Sequence, residues 1–200
     1  MGFIMKKNLC ALFVGVSLML GSAAHAGVTN FDDLVTDGDF TSLNDISPYA
    51  GLTWGADWYA GDNTVGGYGN AARSGTNFAV NGFGTDGASV SSATGFDFSG
   101  AWFAAPEGVD DKASWINISA YDAVNQLIGS TGNVAIGAGY TWVGAAFSNV
   151  YSLSITRDSG WYVMDDFTTT TATTVPEPGT QLMLGIGLLA LVAGRRRASR

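Results

Sequence analysis

Four aromatic residues, Trp54, Trp58, Tyr59 and Tyr68, flank a glycine-rich stretch that also holds Asp57, Gly61, Asp62 and Asn63. Flat apolar rings can stack on the C–H faces of sugars, and adjacent Asp and Asn can hydrogen-bond hydroxyls. These four rings are therefore the candidate carbohydrate contacts. Trp102, Trp115, Trp142 and Trp161 fall within strand-like runs and read as core or groove-facing packing. A second group is acidic, with Asp32 and Asp33 near the start of the body and Asp165 and Asp166 near its end. If the first and last strands lie together, four carboxylates converge into an oxygen-rich set of the kind that Ca²⁺ takes. The competing reading is solvated aspartates at turns and strand edges. Asp37-Gly38-Asp39 lacks the ligand spacing of a helix–loop–helix calcium loop. A glycosidase needs two carboxylates across a cleft. The body offers Glu107 in a turn-like Pro106-Glu107-Gly108 and the neighbouring pair Asp110-Asp111, and nothing in the spacing fixes a pairing. A non-catalytic body is the expectation, with an Asp/Glu glycosidase as the alternative. Gly66-Gly67-Tyr68-Gly69 lacks the strand-and-helix context of a phosphate-binding loop.

The elements that must position these residues read as strands. Trp115 to Tyr121 alternates, with Ile116, Ile118 and Ala120 on one face and Trp115, Asn117, Ser119 and Tyr121 on the other. Tyr151 to Thr156 alternates too, with Tyr151, Leu153 and Ile155 expected inward. Further candidates are Val28–Val35, Asn77–Asn81, Ala88–Ser92, Phe96–Ala104, Thr141–Phe147 and Trp161–Thr168. Gly, Asn, Asp and Ser punctuate them, and Ala56–Thr76 reads as a long loop or irregular strands. Short strands with recurrent turn signals predict an all-β fold, an antiparallel β-sandwich or jelly roll.

Charge separates the body from its ends. Residues 27–175 hold 16 acidic and 3 basic residues, a formal net charge of −13. Such a body is not expected to bind nucleic acid. Six of the nine basic residues lie at the ends: Lys6, Lys7, Arg195, Arg196, Arg197 and Arg200. Residues 1–26 have a short basic region, an apolar run from Leu9 to Gly21 and a small-residue Ala24-His25-Ala26. This is the pattern of a secretory signal helix cleaved before Gly27, which engages the Sec machinery and signal peptidase. The single Cys, Cys10, and the single His, His25, lie in that segment. The mature chain is then expected to lack disulfides, a Ser-His-Asp triad and any thiolate or imidazole metal site. Residues 168–175 form a threonine-rich linker, followed by the proline-broken Val175-Pro176-Glu177-Pro178-Gly179. Leu182–Gly194 is almost wholly apolar and ends at three arginines. Those 13 residues form a short hydrophobic helix of about 20 Å, against a hydrocarbon core of roughly 30 Å. Including Thr180 and Gln181, residues 180–194 come closer to spanning a membrane, and Arg195, Arg196 and Arg197 would hold that end on the cytoplasmic side.

The motif Val175-Pro176-Glu177-Pro178-Gly179-Thr180, the short apolar segment and the arginine cluster together resemble the PEP-CTERM sorting signal of exported Gram-negative proteins. The resemblance covers residues 176–200 and implies cleavage near the motif by a membrane-embedded exosortase. It further implies passage from an inner-membrane-tethered intermediate to the cell surface or extracellular matrix, beside exopolysaccharide. The body, residues 27–167, resembles a common extracellular domain of such proteins. Phe31-Asp32-Asp33-Leu34, Tyr49 to Trp54, Phe96 to Phe103 and Met164-Asp165-Asp166-Phe167 carry that likeness. It implies a galactose-binding-like or lectin-like jelly roll without an assigned activity. The expected function is a non-catalytic surface or biofilm-matrix protein that binds exopolysaccharide. A polysaccharide-modifying enzyme and a purely structural matrix protein are the alternatives.

Overall fold

Eleven strands follow one another with no helix among the described residues. They are β1 (Ala26–Thr29), β2 (Thr41–Ser42), β3 (Thr53–Trp54), β4 (Trp58–Asp62), β5 (Asn77–Asn81) and β6 (Gly87–Ala104), then β7 (Trp115–Tyr121), β8 (Leu127–Ser130), β9 (Val134–Ala135), β10 (Thr141–Arg157) and β11 (Val163–Thr170). The computed structural model describes residues 26–69, 71–82 and 87–170. The expected terminal helices, the linker beyond Thr170 and the sorting motif lie outside the described residues.

All named strands pair antiparallel in the order β2-β4-β5-β11-β6-β10-β7-β8, with β1 on β11, β3 on β6 and β9 on β7. The two long strands β6 and β10 belong to both halves of the fold. The start of β6 (Gly87–Ser91) pairs with Ser152–Thr156 of β10, and β3 and β7 flank them. The second part of β6, from Phe96, pairs with Thr141–Val150 and is flanked by β11. Between these stretches the β6–β10 register shifts at Gly144/Phe147, Phe147/Val150 and Val150/Ser152. Gly95 and Asn149 take left-handed φ values of 75° and 58° there. Extra residues in one strand bend a ladder and increase its twist, so one pair of strands can serve two faces of a sandwich. The separate candidates Ala88–Ser92 and Phe96–Ala104 are thus one strand, as are Thr141–Phe147 and Tyr151–Thr156.

The main core lies between the halves. Ile116, Ile118 and Ala120 of β7 and Leu153 and Ile155 of β10 face it at 0–1% exposure, whereas Tyr151 is only partly buried. Trp54 of β3 is the hub. Its ring centroid lies 5.5 Å from Phe31, 5.8 Å from Trp58 and 5.5 Å from Phe167 of β11, all edge-on. Edge-to-face aromatic pairs each add about 0.5–1.5 kcal/mol beyond their burial. Trp54 Nε1 donates to Tyr49 O at 3.1 Å, which satisfies the one polar atom in the indole.

A second apolar cluster covers the opposite side of β5. Val65, Tyr68 and Ala71, from the segment after β4, pack on Phe78, Val80, Ala104 and Val163. Tyr68 stacks on Phe78 at 5.4 Å. Both faces of β5 are therefore buried, as its continuous apolar centre requires. The stretch expected to be irregular from Ala56 to Thr76 contains β4, and its remainder is this covering segment.

Candidate functional site

The covering segment ends at Arg73, and beyond it exposure rises from Asp165 of β11, fully buried, through Trp102 of β6, half-buried, to Trp142 of β10, exposed. Asp165, Trp102 and Trp142 are register partners across these three strands. Register partners on adjacent strands point to the same side, so an aspartate and two indoles stand in a row. The indoles lie 5.5 Å apart at 57°. Gly100 and Gly144, also register partners, create the room for Trp142. A Cβ at Gly100 would fall 2.5 Å from Trp142 Cζ2, and one at Gly144 would fall 2.6 Å from Nε1. The indole therefore rests on bare backbone, with 39% of the residue exposed.

Arg73 closes the other end of the row. Its guanidinium carbon lies 4.0 Å from the centre of the Trp102 ring, and Nη1 is ion-paired with Asp166. Ser74 Oγ donates to Asp166 Oδ1 at 2.7 Å. Asp165 is fully buried and takes three backbone N–H donors: Arg73 at 2.8 Å and Ser74 at 2.9 Å on Oδ2, and Asp166 at 2.7 Å on Oδ1. Burial pushes the Asp165 carboxyl up to about 7, and the like charge of Asp166 adds to this while the three N–H donors oppose it. The Tyr140 hydroxyl donates to Ala71 O beside this group, and burial holds its pKa well above that of an ordinary tyrosine. Asp166 has φ 49° and sits where the β11–β6 register shifts between Asp165 and Thr168. That irregularity lets two consecutive aspartates both reach the 73–74 backbone and side chains.

The aspartates expected to converge do so in part, but on a loop. Asp32 Oδ1 accepts from the N–H groups of Thr76 and Asn77 at 2.8 and 3.0 Å, and Oδ2 accepts from Asn30 at 2.8 Å. Asp32, Asp165 and Asp166 thus hold residues 73–77 by their otherwise unpaired donors. Asp33 is turned elsewhere and accepts from the Tyr49 hydroxyl at 2.5 Å. Among the described residues no three acidic, histidine or cysteine side chains are grouped to hold a metal ion. Asp32, Asp33, Asp165 and Asp166, the expected calcium set, thus accept from N–H and O–H donors, with Asp33 apart from the other three.

Three of the four candidate rings are buried. Trp54 and Trp58 are fully buried in the core, and Tyr68 is buried in the second cluster. None has a free face for a ligand. Tyr59 is half-buried and packs against the second cluster. Glu107, Asp110 and Asp111 are exposed on the stretch between β6 and β7, and Glu107 O accepts from Lys112 Nζ at 2.9 Å.

A depression of about 470 Å³ is lined by residues 34–38, 62–64, Thr76 and Asn77. One of its two carboxylates, Asp62, accepts from Thr36 Oγ1 (2.5 Å), Gly38 N (2.9 Å), Thr64 N (2.7 Å) and Thr64 Oγ1 (2.5 Å). These donors, Thr36 and Thr64 first, hold its pKa far below the usual carboxylate range. Asp62 is spent on shaping two turns, which leaves the tryptophan row as the candidate site.

Residues 174–197 match the PEP-CTERM protein-sorting motif. The motif marks the chain as an exported protein, processed by an exosortase and sorted to the cell surface. No curated protein matches the chain. Among solved structures, the fold is similar to the CBM22-1–CBM22-2 tandem domain of Paenibacillus barcinonensis Xyn10C, with 13% identity and a TM-score of 0.44 over 79% of this chain and 48% of that one. It is also similar to the CBM22-1–GH10 modules of the Clostridium thermocellum xylanase 10B, solved with xylohexaose, with 18% identity and a TM-score of 0.41 over 74% of this chain and 28% of that one. The CBM22-1 xylan-binding domain of the Paenibacillus protein aligns at 13% identity and a TM-score of 0.39, over 70% of this chain and 99% of that one. The chain thus spans about half the length of the first of these proteins and about a quarter of the second.

Proposed function

We propose that the exported body is a non-catalytic polysaccharide-binding domain that holds a glycan on the Trp102–Trp142 row at the cell surface or in the matrix. The observation that supports this most is Trp142, a large ring resting on Gly100 and Gly144 with 39% of the residue in solvent. Leaving that much indole in water forgoes burial, and packing alone gives no reason to keep two glycines beneath it. A ring open on a rigid sheet is pre-organised for stacking, which reduces the entropy lost on binding. In this reading residues 1–26 are removed as a signal peptide on export from a Gram-negative cytoplasm, and exosortase cuts near Pro176–Pro178.

The test is affinity electrophoresis of the exported protein through gels containing host exopolysaccharide. Wild type is expected to be retarded and Trp142→Ala to migrate freely while still unfolding cooperatively, at a melting temperature lowered by the lost contact of the ring. Equal retardation of both proteins, or of neither, refutes the reading. New reducing ends after incubation with the polymer would favour the glycosidase alternative.

A further inference from the structure

The row contains one cation, Arg73, and that cation is engaged on both sides. Its guanidinium lies on the face of Trp102 at 4.0 Å and is ion-paired with Asp166. A guanidinium forks onto a carboxylate wherever one is offered, and the carboxylate here comes from the protein itself. Asp166 is held in turn by Ser74 Oγ, and Asp165 lies one residue away along β11.

We propose that the Arg73–Asp166 pair is a charge lock that restricts the row to uncharged glycans. This rests on the polysaccharide-binding reading above. A uronate or sulfate on the ligand would have to displace Asp166 from Arg73, exchanging one ion pair for another with no net gain. It would also approach a body whose formal net charge over residues 27–175 is −13, a field that slows the encounter of like charges. A neutral sugar stacks on Trp142 without disturbing the pair. Asp166 thus sets specificity through Arg73 and is a positioning residue.

The experiment compares a neutral soluble glucan with polygalacturonate as gel additives for the exported full-length protein. Wild type is expected to bind the glucan and ignore polygalacturonate. Asp166→Asn suits the site, because asparagine tolerates the left-handed φ of 49° and can still accept from Ser74. It releases Arg73, and the polygalacturonate-to-glucan affinity ratio should rise about tenfold at low salt, the worth of one charge-assisted hydrogen bond. Adding Arg73→Met should erase that gain. A ratio unchanged in a folded Asp166→Asn variant overturns the lock, and so does wild-type binding of polygalacturonate on a par with the glucan. A second measurement needs no variant. Wild-type affinity for the glucan should hold steady from about 0.01 M to about 1 M salt, where the screening length falls from about 30 Å to about 3 Å, and a steep decline overturns the proposal. If wild type binds neither polymer and Trp142→Ala changes nothing, the binding reading itself falls, and the lock falls with it.

Discussion

Gly144→Ala separates the folding role of the Trp142 cradle from its exposed ring. The added Cβ would lie 2.6 Å from Trp142 Nε1 and 3.3 Å from Cδ1, and all three of its nearest contacts are atoms of that side chain. Carbon contacts settle near 3.5–4 Å, so the indole must shift by about 1 Å. Trp142 is 39% exposed. Of the roughly 200 Å² that a tryptophan can bury, about 120 Å² is therefore in contact, worth about 3 kcal/mol at about 25 cal/mol per Å². A shift of about 1 Å forfeits part of this, about 1 kcal/mol, and replacing glycine within a strand returns about 0.5–1 kcal/mol. The net change in stability should stay within about 1 kcal/mol, or about 4 °C in melting temperature. Stacking of a ligand on one aromatic ring is worth about 1–3 kcal/mol, and losing about half of it weakens binding about two- to tenfold. The assay pairs thermal unfolding with affinity electrophoresis and indole emission, which should shift to the red as the ring lifts from the sheet. Unchanged retardation and emission in Gly144→Ala would refute the argument, as would a loss of stability above about 3 kcal/mol. Gly100→Ala is the contrasting variant. There the Cβ also meets Val143 O at 2.8 Å, on backbone that cannot yield, so unfolding should occur at distinctly lower temperature.

Trp54→Ala removes the ring that meets Phe31, Trp58 and Phe167, and about 3–5 kcal/mol of stability should go with it; urea unfolding measures this. Asp165 titrates near 7 when folded, against 3.8 as its unperturbed value. Its contribution to stability is complete below about pH 4 and lost as the pH rises through about 7. The urea midpoint of wild type should therefore fall from pH 4 to pH 8 more than that of Asp165→Asn, and parallel profiles would contradict the shift. Replacing Pro176 and Pro178 together by alanine should leave residues 180–200 attached, as read by the intact mass of protein recovered from cells.

The parts of the fold legible in the sequence are those buried on one face only. Ile116, Ile118 and Ala120 alternate with half-exposed partners because β7 has core on one side and solvent on the other. β4 is less legible, because Trp58, Ala60 and Gly61 are all buried and its burial does not alternate cleanly. The polar neighbours that suggested an exposed Trp58 serve the backbone instead, since Asp62 and Asn63 accept from turn N–H groups. β6 and β10 each read as two strands because Gly95 and Asn149 look like turn residues. They do take left-handed φ, but inside bent strands, and one-dimensional spacing cannot tell a bulge from a turn when the partner strand is unknown.

The tryptophan row has a local signal that aromatic content alone does not carry. Gly100 and Trp102 stand two apart on β6, and Trp142 and Gly144 two apart on β10. Residues two apart share a face of a strand, so each pair sets a large ring beside a missing side chain. Either pair alone is ordinary. In register, with Trp102 opposite Trp142 and Gly100 opposite Gly144, they form a bare patch of backbone next to two indoles. The aspartates follow the converse logic. β1 does lie beside β11, yet what Asp32, Asp165 and Asp166 meet is fixed by the segment from Arg73 to Asn77. Four of its N–H groups find no strand partner and turn to carboxylates. A buried N–H left unmet costs about 1–3 kcal/mol, so the part-buried N–H groups of Arg73, Ser74 and Asn77 draw these oxygens to them, and the same contacts bring Arg73 onto Trp102.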